Sequence, residues 1–366
     1  MKAERKRVLF LVPSLIGGGA QRVFSILLRH LDRSRFEPHI AMVQATGVYL
    51  QDIPQDVVVH DLNISRVRYA APGIIRTIWK IRPHTVLSTL GHVNLTLMAV
   101  KPLLPRGTRL LIREAAVASA FLDLEMKHPG IWRWFYRHLY RRADRIICLS
   151  DSMVDDMMKN FNLPRAKLVR IYNPVDIERI RQSAEREANP YSGPGPHLVA
   201  VGRLCRQKGY DILLDAMPAV LKRISSAQLS ILGEGPLEGE LRHQAHNLNL
   251  IDSVHFLGFQ QNPWTYLKHA DLFVLPSRYE GLPNVLLETL ALGTPVVAAD
   301  CPGAMREIRD HEQQMVLVPP ENPDALADAI ISACTACANA SYSQPSEQRL
   351  RKFSVQQIVE EYSALF

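Results

Sequence analysis

Two glutamates, Glu280 and Glu288, stand at either end of a seven-residue apolar or small run in SRYEGLPNVLLETLALGTPVV. An ionised carboxylate only accepts hydrogen bonds, so two of them at different depths suit the hydroxyls of sugar rings. Upstream, VGRLCRQKG sets Arg203 and Lys208 beside Gly202 at the start of a helical pattern. Two cations there suit a diphosphate, the arginine gripping oxygens in a fork and the lysine acting as a point charge. Two further glycine turns follow strand-like runs, LIGGGAQ with Gly17, Gly18 and Gly19, and LGEGP with Gly233 and Gly235. Such turns let backbone N–H groups approach a phosphate at the positive end of a helix. Each residue also has an ordinary reading. Glu280 would then be a capping or surface carboxylate, Glu288 a salt-bridged helix residue, and the two cations part of a solvated loop.

These residues need elements to position them. RVLFLV (7–12) reads as a buried strand, followed by the glycine turn and a helix from about Ala20 to Leu31 with Val23, Ile26, Leu27 and Leu31 on one face. HIAMVQ, TVLSTL, RLLIRE and RIICLS continue the alternation of strand and helix, the signature of a parallel α/β sheet. EREANPYSGPGPH, after a helix that follows IYNPVD, reads as a linker. The pattern then restarts with HLVAVG, QLSIL, VHFLG, LFVLP, PVVAA and MVLV, and a helix over 210–224 carries Ile212, Leu213, Met217, Val220 and Leu221 on one face. The expectation is two Rossmann-like α/β domains, 1–185 and 195–345, facing each other across a cleft. An amphipathic tail helix at about 350–366 is free to pack back on the first. Ligands would sit at the carboxyl ends of the strands. Glu280 would lie in the loop after LFVLP. Pro283 would open the helix of Glu288, and the amides of Gly281, Leu282, Asn284 and Val285 would point at the ligand.

A chain of 366 residues, 47% hydrophobic and 22% charged, fits two globular domains. No run approaches the roughly 20 apolar residues of a membrane span. The start, MKAERKRVLFLVPSLIGGGA, resembles a weak signal peptide, but Pro13 and the glycine turn favour a strand leading into a helix. Five cysteines form no disulfide framework, which favours a reducing, cytoplasmic setting, and Cys334-x-x-Cys337 reads as packing in an Ala-rich helix. A dinucleotide fingerprint fails because Arg22 replaces its third glycine and MVQATG lacks the ribose-binding acid. The sequence contains neither a G-x-x-x-x-G-K-[ST] loop nor a D-x-D pair for a metal-bound nucleotide sugar.

The net charge of +7 is uneven. Residues 1–185 hold 29 Lys/Arg against 16 Asp/Glu, whereas 186–366 hold 14 against 20. IWRWFYRHLYRRADR spaces Arg133, Arg137 and Arg141 by four, with Trp132, Phe135, Tyr136 and Leu139 largely off that row. YAAPGIIRTIWKIR mixes Ile74, Ile75, Ile78 and Trp79 with Arg76, Lys80 and Arg82. Cationic helices with aromatics are attracted to an anionic membrane surface, and no nucleic-acid motif accompanies the charge. The expected partners are a nucleotide-sugar donor, a glycan or lipid-linked acceptor and an anionic membrane, with no nucleic acid.

The ordered set GRLCRQKG, LGEGP, VHFLGF, ADLFVLPSRYEGLPNVLLETLALGTPVVAAD and CPGAMREI resembles family-4 retaining glycosyltransferases of GT-B fold. The likeness is specific over about 195–310 and weaker through GGGAQRV, ADRIICLS and IYNPVD. It implies that Glu280 contacts the donor sugar, that Glu288 binds the nucleotide ribose, and that Arg203 and Lys208 hold the diphosphate and stabilise its leaving charge. It also sets Leu257, Gly258 and Phe259 near the base and brings Gly17 to Gly19 to phosphate and acceptor. His92, at the end of the STLGHVN strand, would lie against the donor, although a helix-capping or core-edge role suits it equally. Gln21 stands where relatives often have glutamate. The reaction implied is metal-free, retaining hexosyl transfer in cell-envelope glycan synthesis, with no cofactor beyond the nucleotide-sugar co-substrate and the enzyme peripheral on the cytoplasmic face. UDP-hexose or UDP-N-acetylhexosamine is the expected donor and GDP-mannose the alternative. A sugar-nucleotide epimerase and a non-catalytic binding module remain as competing readings.

Overall fold

The computed structural model describes residues 5–310, 314–337 and 350–366. The first four residues, the 338–345 end of the expected second domain and the Cys337 side chain lie outside them. The chain divides into two compact units, one of residues 1–174 and 355–366, the other of 175–354. No helix among the described residues is long and apolar enough to cross a membrane.

The first unit is a seven-stranded parallel sheet. Its strands are β1 (Lys6–Val12), β2 (Phe36–Met42), β3 (Val58–Asp61), β4 (Thr85–Thr89), β5 (Arg109–Arg113), β6 (Arg145–Cys148) and β7 (Leu168–Arg170), in the order β3-β2-β1-β4-β5-β6-β7. The inner strands are apolar without alternation, because helices cover both faces of a parallel sheet. Val8 to Val12 and Leu110 to Ile112 are accordingly all buried. The sequence reading missed two strands, β3 and β7. Both are edges of three or four residues, and Val58 and Val59 are largely exposed, so neither carries the apolar run that marks an inner strand.

One side of this sheet is closed by the Gly19–His30 helix together with the C-terminal Val355–Ser363 helix. Ile358, Tyr362 and Phe366 enter the core that holds Phe10, Phe24 and Phe36, and the Phe366 ring meets Phe36 edge-on at 5.8 Å. The tail helix is therefore part of the first unit's core. On the other side, at the ends of β4 and β5, lies a buried polar cluster. Glu114 accepts from the Tyr140 hydroxyl and from Asn94 Nδ2 at 3.0 Å, and Asn94 accepts from Ser88 at 2.7 Å. Next to it the fully buried Arg113 donates to Asn173 at 2.5 Å and to Thr89 at 3.2 Å. Burial raises the Glu114 pKa to about 7 against the lowering effect of its hydrogen bonds.

The second unit is a six-stranded parallel sheet of β8 (His197–Val201), β9 (Gln228–Leu232), β10 (Val254–Gly258), β11 (Leu272–Leu275), β12 (Val296–Ala299) and β13 (Met315–Val318), in the order β10-β9-β8-β11-β12-β13. The Tyr210–Arg223 helix buries Ile212, Leu213, Met217 and Val220, matching the apolar face expected from its period. The polar 185–197 stretch does not separate the units. Tyr191 stacks on His197 at 4.7 Å and its hydroxyl donates to Tyr266 O, both inside the second unit. The preceding Ile177–Ala184 helix also packs there, against the Pro263–His269 and Asn284–Leu292 helices. The crossing falls at 174/175, earlier than the expected boundary at 185. At that point Val175 N–H donates to Phe353 O at 2.8 Å, so the chain enters and leaves the second unit side by side.

Two outcomes follow. Ile358→Ala, at a fully buried position, should lower the stability of the first unit by about 2–5 kcal/mol in urea denaturation. A carboxyl whose folded pKa is raised stabilises below its unfolded value and loses that contribution as pH rises through the folded one. Between about pH 4.5 and 7 the wild type should therefore lose on the order of 3 kcal/mol that Glu114→Gln keeps, read as a difference in pH slope.

Candidate functional site

In each unit the strand order reverses once, between β1 and β4 and between β8 and β11. At such a point the connections leave in opposite directions and open a crevice at the carboxyl ends of the strands. The residues singled out from sequence gather at these two points. Gly17 to Gly19 follow β1 and His92 follows β4, which pairs with β1. Gly202, Arg203 and Lys208 follow β8, while Glu280 follows β11, which pairs with β8.

In the second unit the loops after β8, β9, β11 and β12 are laced together through backbone atoms. Gly202 N–H donates to Leu232 O at 2.9 Å, Leu204 N–H to Glu234 O at 3.0 Å, and Gly233 N–H to Gly258 O at 2.8 Å. A Cβ on Gly233 would collide with the Gly202 carbonyl, and one on Gly235 with the Leu204 carbonyl. Those glycines are demanded by one loop crossing another. Gly209, at φ 65°, likewise passes against the Pro276 carbonyl, and beside it Arg278 N–H donates to Gln207 O at 2.8 Å.

Inside this weave Glu280 is buried. Its carboxylate receives Lys208 Nζ at 2.5 Å, Ser277 Oγ at 2.7 Å and Gln207 Nε2 at 3.4 Å, while its N–H donates to Pro302 O at 2.9 Å. Buried carboxylates persist only when paired, and Lys208 supplies the charge. Glu280 is thus neither a cap nor a surface residue, and Lys208, half-buried against it, is not the solvated-loop cation of the ordinary reading. Ser277 and Gln207 escaped the sequence reading because a serine and a glutamine carry no spacing signal of their own. Arg203 differs from Lys208. It is exposed and forms no ion pair among the described residues.

Glu288 sits on the Asn284–Leu292 helix, is also buried, and one of its oxygens accepts from the Trp264 indole at 2.8 Å. Pro283 is the N-cap of that helix rather than part of its first turn. Gly281 and Leu282 are buried, Asn284 and Val285 half-buried, and Gly281 O accepts from Ala304 N–H at 3.0 Å. Phe259 follows β10 and is half-exposed, with Gly258 at φ 67° turning the chain before it. Tyr210 adds an unforeseen feature. Its hydroxyl is buried and has no hydrogen-bond partner among the described residues, close to where a Cβ on Gly202 would lie.

In the first unit, Gly18 (φ 115°) caps the Gly19–His30 helix without a side-chain bond, and the Gln21 amide lies close above it. His92 does not end a strand. It is the second residue of the Gly91–Val100 helix, exposed, with its pKa lowered by desolvation and its carbonyl accepting from Thr96. The arginine row that runs from the Pro129–Leu139 helix into the Tyr140–Arg142 turn is engaged within the unit. Arg133 pairs with Asp123 at 2.6 Å, and Arg137 and Arg141 donate to the carbonyls of Asn160 and Asn162 at the end of the Asp151–Phe161 helix. Those cations tie helices together.

Two family models match, Glycosyltransferase Family 4 over residues 17–179 and Glycosyl transferases group 1 over 195–336. The chain belongs to the family-4-like glycosyltransferases. This transferase is 29% identical over 324 residues to a Campylobacter jejuni N-acetylgalactosamine-N,N'-diacetylbacillosaminyl-diphospho-undecaprenol 4-alpha-N-acetylgalactosaminyltransferase, covering 86% of each chain. It is 33% identical over 180 residues, 46% of each chain, to a GDP-mannose-dependent alpha-(1-6)-phosphatidylinositol monomannoside mannosyltransferase of Mycobacterium tuberculosis. An Anabaena protein crystallised with UDP superposes with a TM-score of 0.75 at 21% identity, covering 98% of this chain and 99% of that one. The two Rossmann-like units are thus those of the GT-B fold.

Removing Lys208 strands a buried carboxylate. Lys208→Met should cost about 3–5 kcal/mol in the second unit's unfolding, and Lys208→Met with Glu280→Gln should recover most of it.

Proposed function

We propose that this glycosyltransferase moves a sugar from a nucleotide diphosphate sugar to a lipid-linked or glycan acceptor, with retention at the anomeric carbon and without a metal. The observation that carries the reading is the division of labour at the β8–β11 switch point. Glu280 is locked in place by Lys208, Ser277 and Gln207, while Arg203 stands exposed after the same strand as Lys208 and forms no ion pair among the described residues. A locked carboxylate is a fixed acceptor for sugar hydroxyls. The lysine has three donors, so its ammonium can keep Glu280 and also meet a phosphate oxygen. Arg203 can add a fork to the diphosphate as its charge grows on departure. The acceptor hydroxyl then attacks from the face the diphosphate leaves, and positioning with charge stabilisation supplies the catalysis.

Glu288, held by Trp264, offers its remaining acceptor capacity to the nucleotide ribose. Phe259 lies near the base, and the first turn of the Asn284–Leu292 helix lies near the donor. In the first unit, Gly17 to Gly19 and His92 serve phosphate, donor and acceptor at the β1–β4 switch point. A lipid-linked acceptor is supported by the diphospho-undecaprenol in the Campylobacter relative's name, and the location proposed with it is the cytoplasmic face of a membrane. The proposed donor is a UDP-hexose or UDP-N-acetylhexosamine. GDP-mannose is the second reading, favoured by the Mycobacterium relative.

Calorimetry of UDP, GDP and UDP-N-acetylglucosamine with EDTA present should show one nucleotide bound by the wild type and lost in Glu288→Ala. Binding of none would overturn the donor site. Arg203→Ala should slow transfer on the order of 10²-fold while leaving the unfolding midpoint unchanged. A loss below about threefold for both Arg203 and Lys208 variants would remove them from the mechanism.

A further inference from the structure

We propose that the Ala71–Ile81 helix and the turns beside it dock this transferase onto an anionic lipid surface. The inference rests on the lipid-linked acceptor proposed above and identifies the surface that meets the membrane. Between Asp61 and Glu114 the chain runs for 52 residues without an Asp or Glu and carries nine Lys/Arg. Within the run Lys101 pairs with Asp144 at 3.2 Å and Arg113 donates to Asn173, and elsewhere in the first unit several cations have carboxylate partners. Arg33 pairs with Asp56 at 2.5 Å and Arg133 with Asp123 at 2.6 Å. In the acid-free run, Arg66, Arg68, Arg76, Lys80 and Arg82 are exposed, and among the described residues none forms an ion pair. An uncompensated positive surface of this kind costs self-repulsion unless an anionic partner covers it.

The apolar part of the face is built to match. The helix buries Ile74, Ile78 and Ile81 against its own unit, so Trp79 falls outside the core stripe and is 46% exposed. Its indole N–H is already satisfied by Leu103 O at 2.9 Å, and Leu103 itself is 61% exposed. The ring therefore presents apolar surface with no unmet polar group. Tyr69 is 58% exposed with the Arg68 guanidinium 4.8 Å from its ring centre, and Arg82 lies 5.6 Å from that of Trp79. Aromatic rings level with Lys and Arg are what the headgroup region of an anionic leaflet holds. The rival face, the Pro129–Leu139 helix, exposes Ile131, Trp134 and Phe135, but its arginines are held by Asp123 and by backbone carbonyls. It lacks the free charge that selects an anionic lipid.

The test floats the full chain with vesicles of phosphatidylglycerol and phosphatidylcholine in equal parts, and with pure phosphatidylcholine. Wild type should bind the anionic vesicles and leave them at high salt. Arg76→Glu with Lys80→Glu, both exposed, should weaken binding at least about tenfold, whereas Trp134→Ala with Phe135→Ala should stay within about twofold. Three outcomes would overturn the proposal. They are no preference for anionic vesicles, equal loss in both variants, and sedimentation showing that the charge reversal abolishes self-association and leaves vesicle binding intact. Nucleotide calorimetry on the same variants separates the two readings. Lost vesicle binding with nucleotide binding intact concerns this face alone, and absent nucleotide binding in the wild type concerns the transferase reading alone.

Discussion

The site depends on the pairing of β8 with β11. These strands are adjacent in the sheet yet separated in sequence by β9 and β10, so the loops that follow them arrive at one place from two directions. The hydrogen bonds of the Glu280 carboxylate result from that pairing. Lys208, Gln207 and Gly209 come with the loop after β8, and Ser277 and Glu280 with the loop after β11. The first unit repeats the arrangement with β1 and β4. A parallel sheet forces this geometry, because each connection must cross over a face and the order can reverse at only a few points.

Charge then divides by depth. At the switch point the half-buried Lys208 neutralises the buried Glu280 and keeps the loops in one arrangement, since removing the lysine would leave a buried carboxylate unpaired. Cations proposed to act on something outside the protein stay exposed. Arg203 is exposed in this way in the second unit, and Arg66, Arg68, Arg76, Lys80 and Arg82 are in the first. The arginines at positions 133, 137 and 141 show the third use, joining one helix to the end of another.

Much of the fold was legible because the inner strands are buried on both faces and leave unbroken apolar runs. RVLFLV, RLLIRE and QLSIL could not be mistaken for surface elements. The edge strands β3 and β7 were not legible, since half-exposed strands of three or four residues lack that run. The 185–197 stretch misled for a related reason. Its prolines and glycines signal a lack of regular structure, which a linker and a segment packed through Tyr191 share.

By itself the sequence determined the two α/β units, the turns after their strands and the residue types able to meet a diphosphate and a sugar, since each of these depends on neighbours along the chain. Only the tertiary structure decided how the charges are used. It paired Lys208 with Glu280, gave the Trp264 indole to Glu288, set His92 on a helix and left the cations around Trp79 without a carboxylate partner among the described residues. The physical reason is that an ion's role is set by what surrounds it, and in a parallel sheet those surroundings come from segments far apart in the chain.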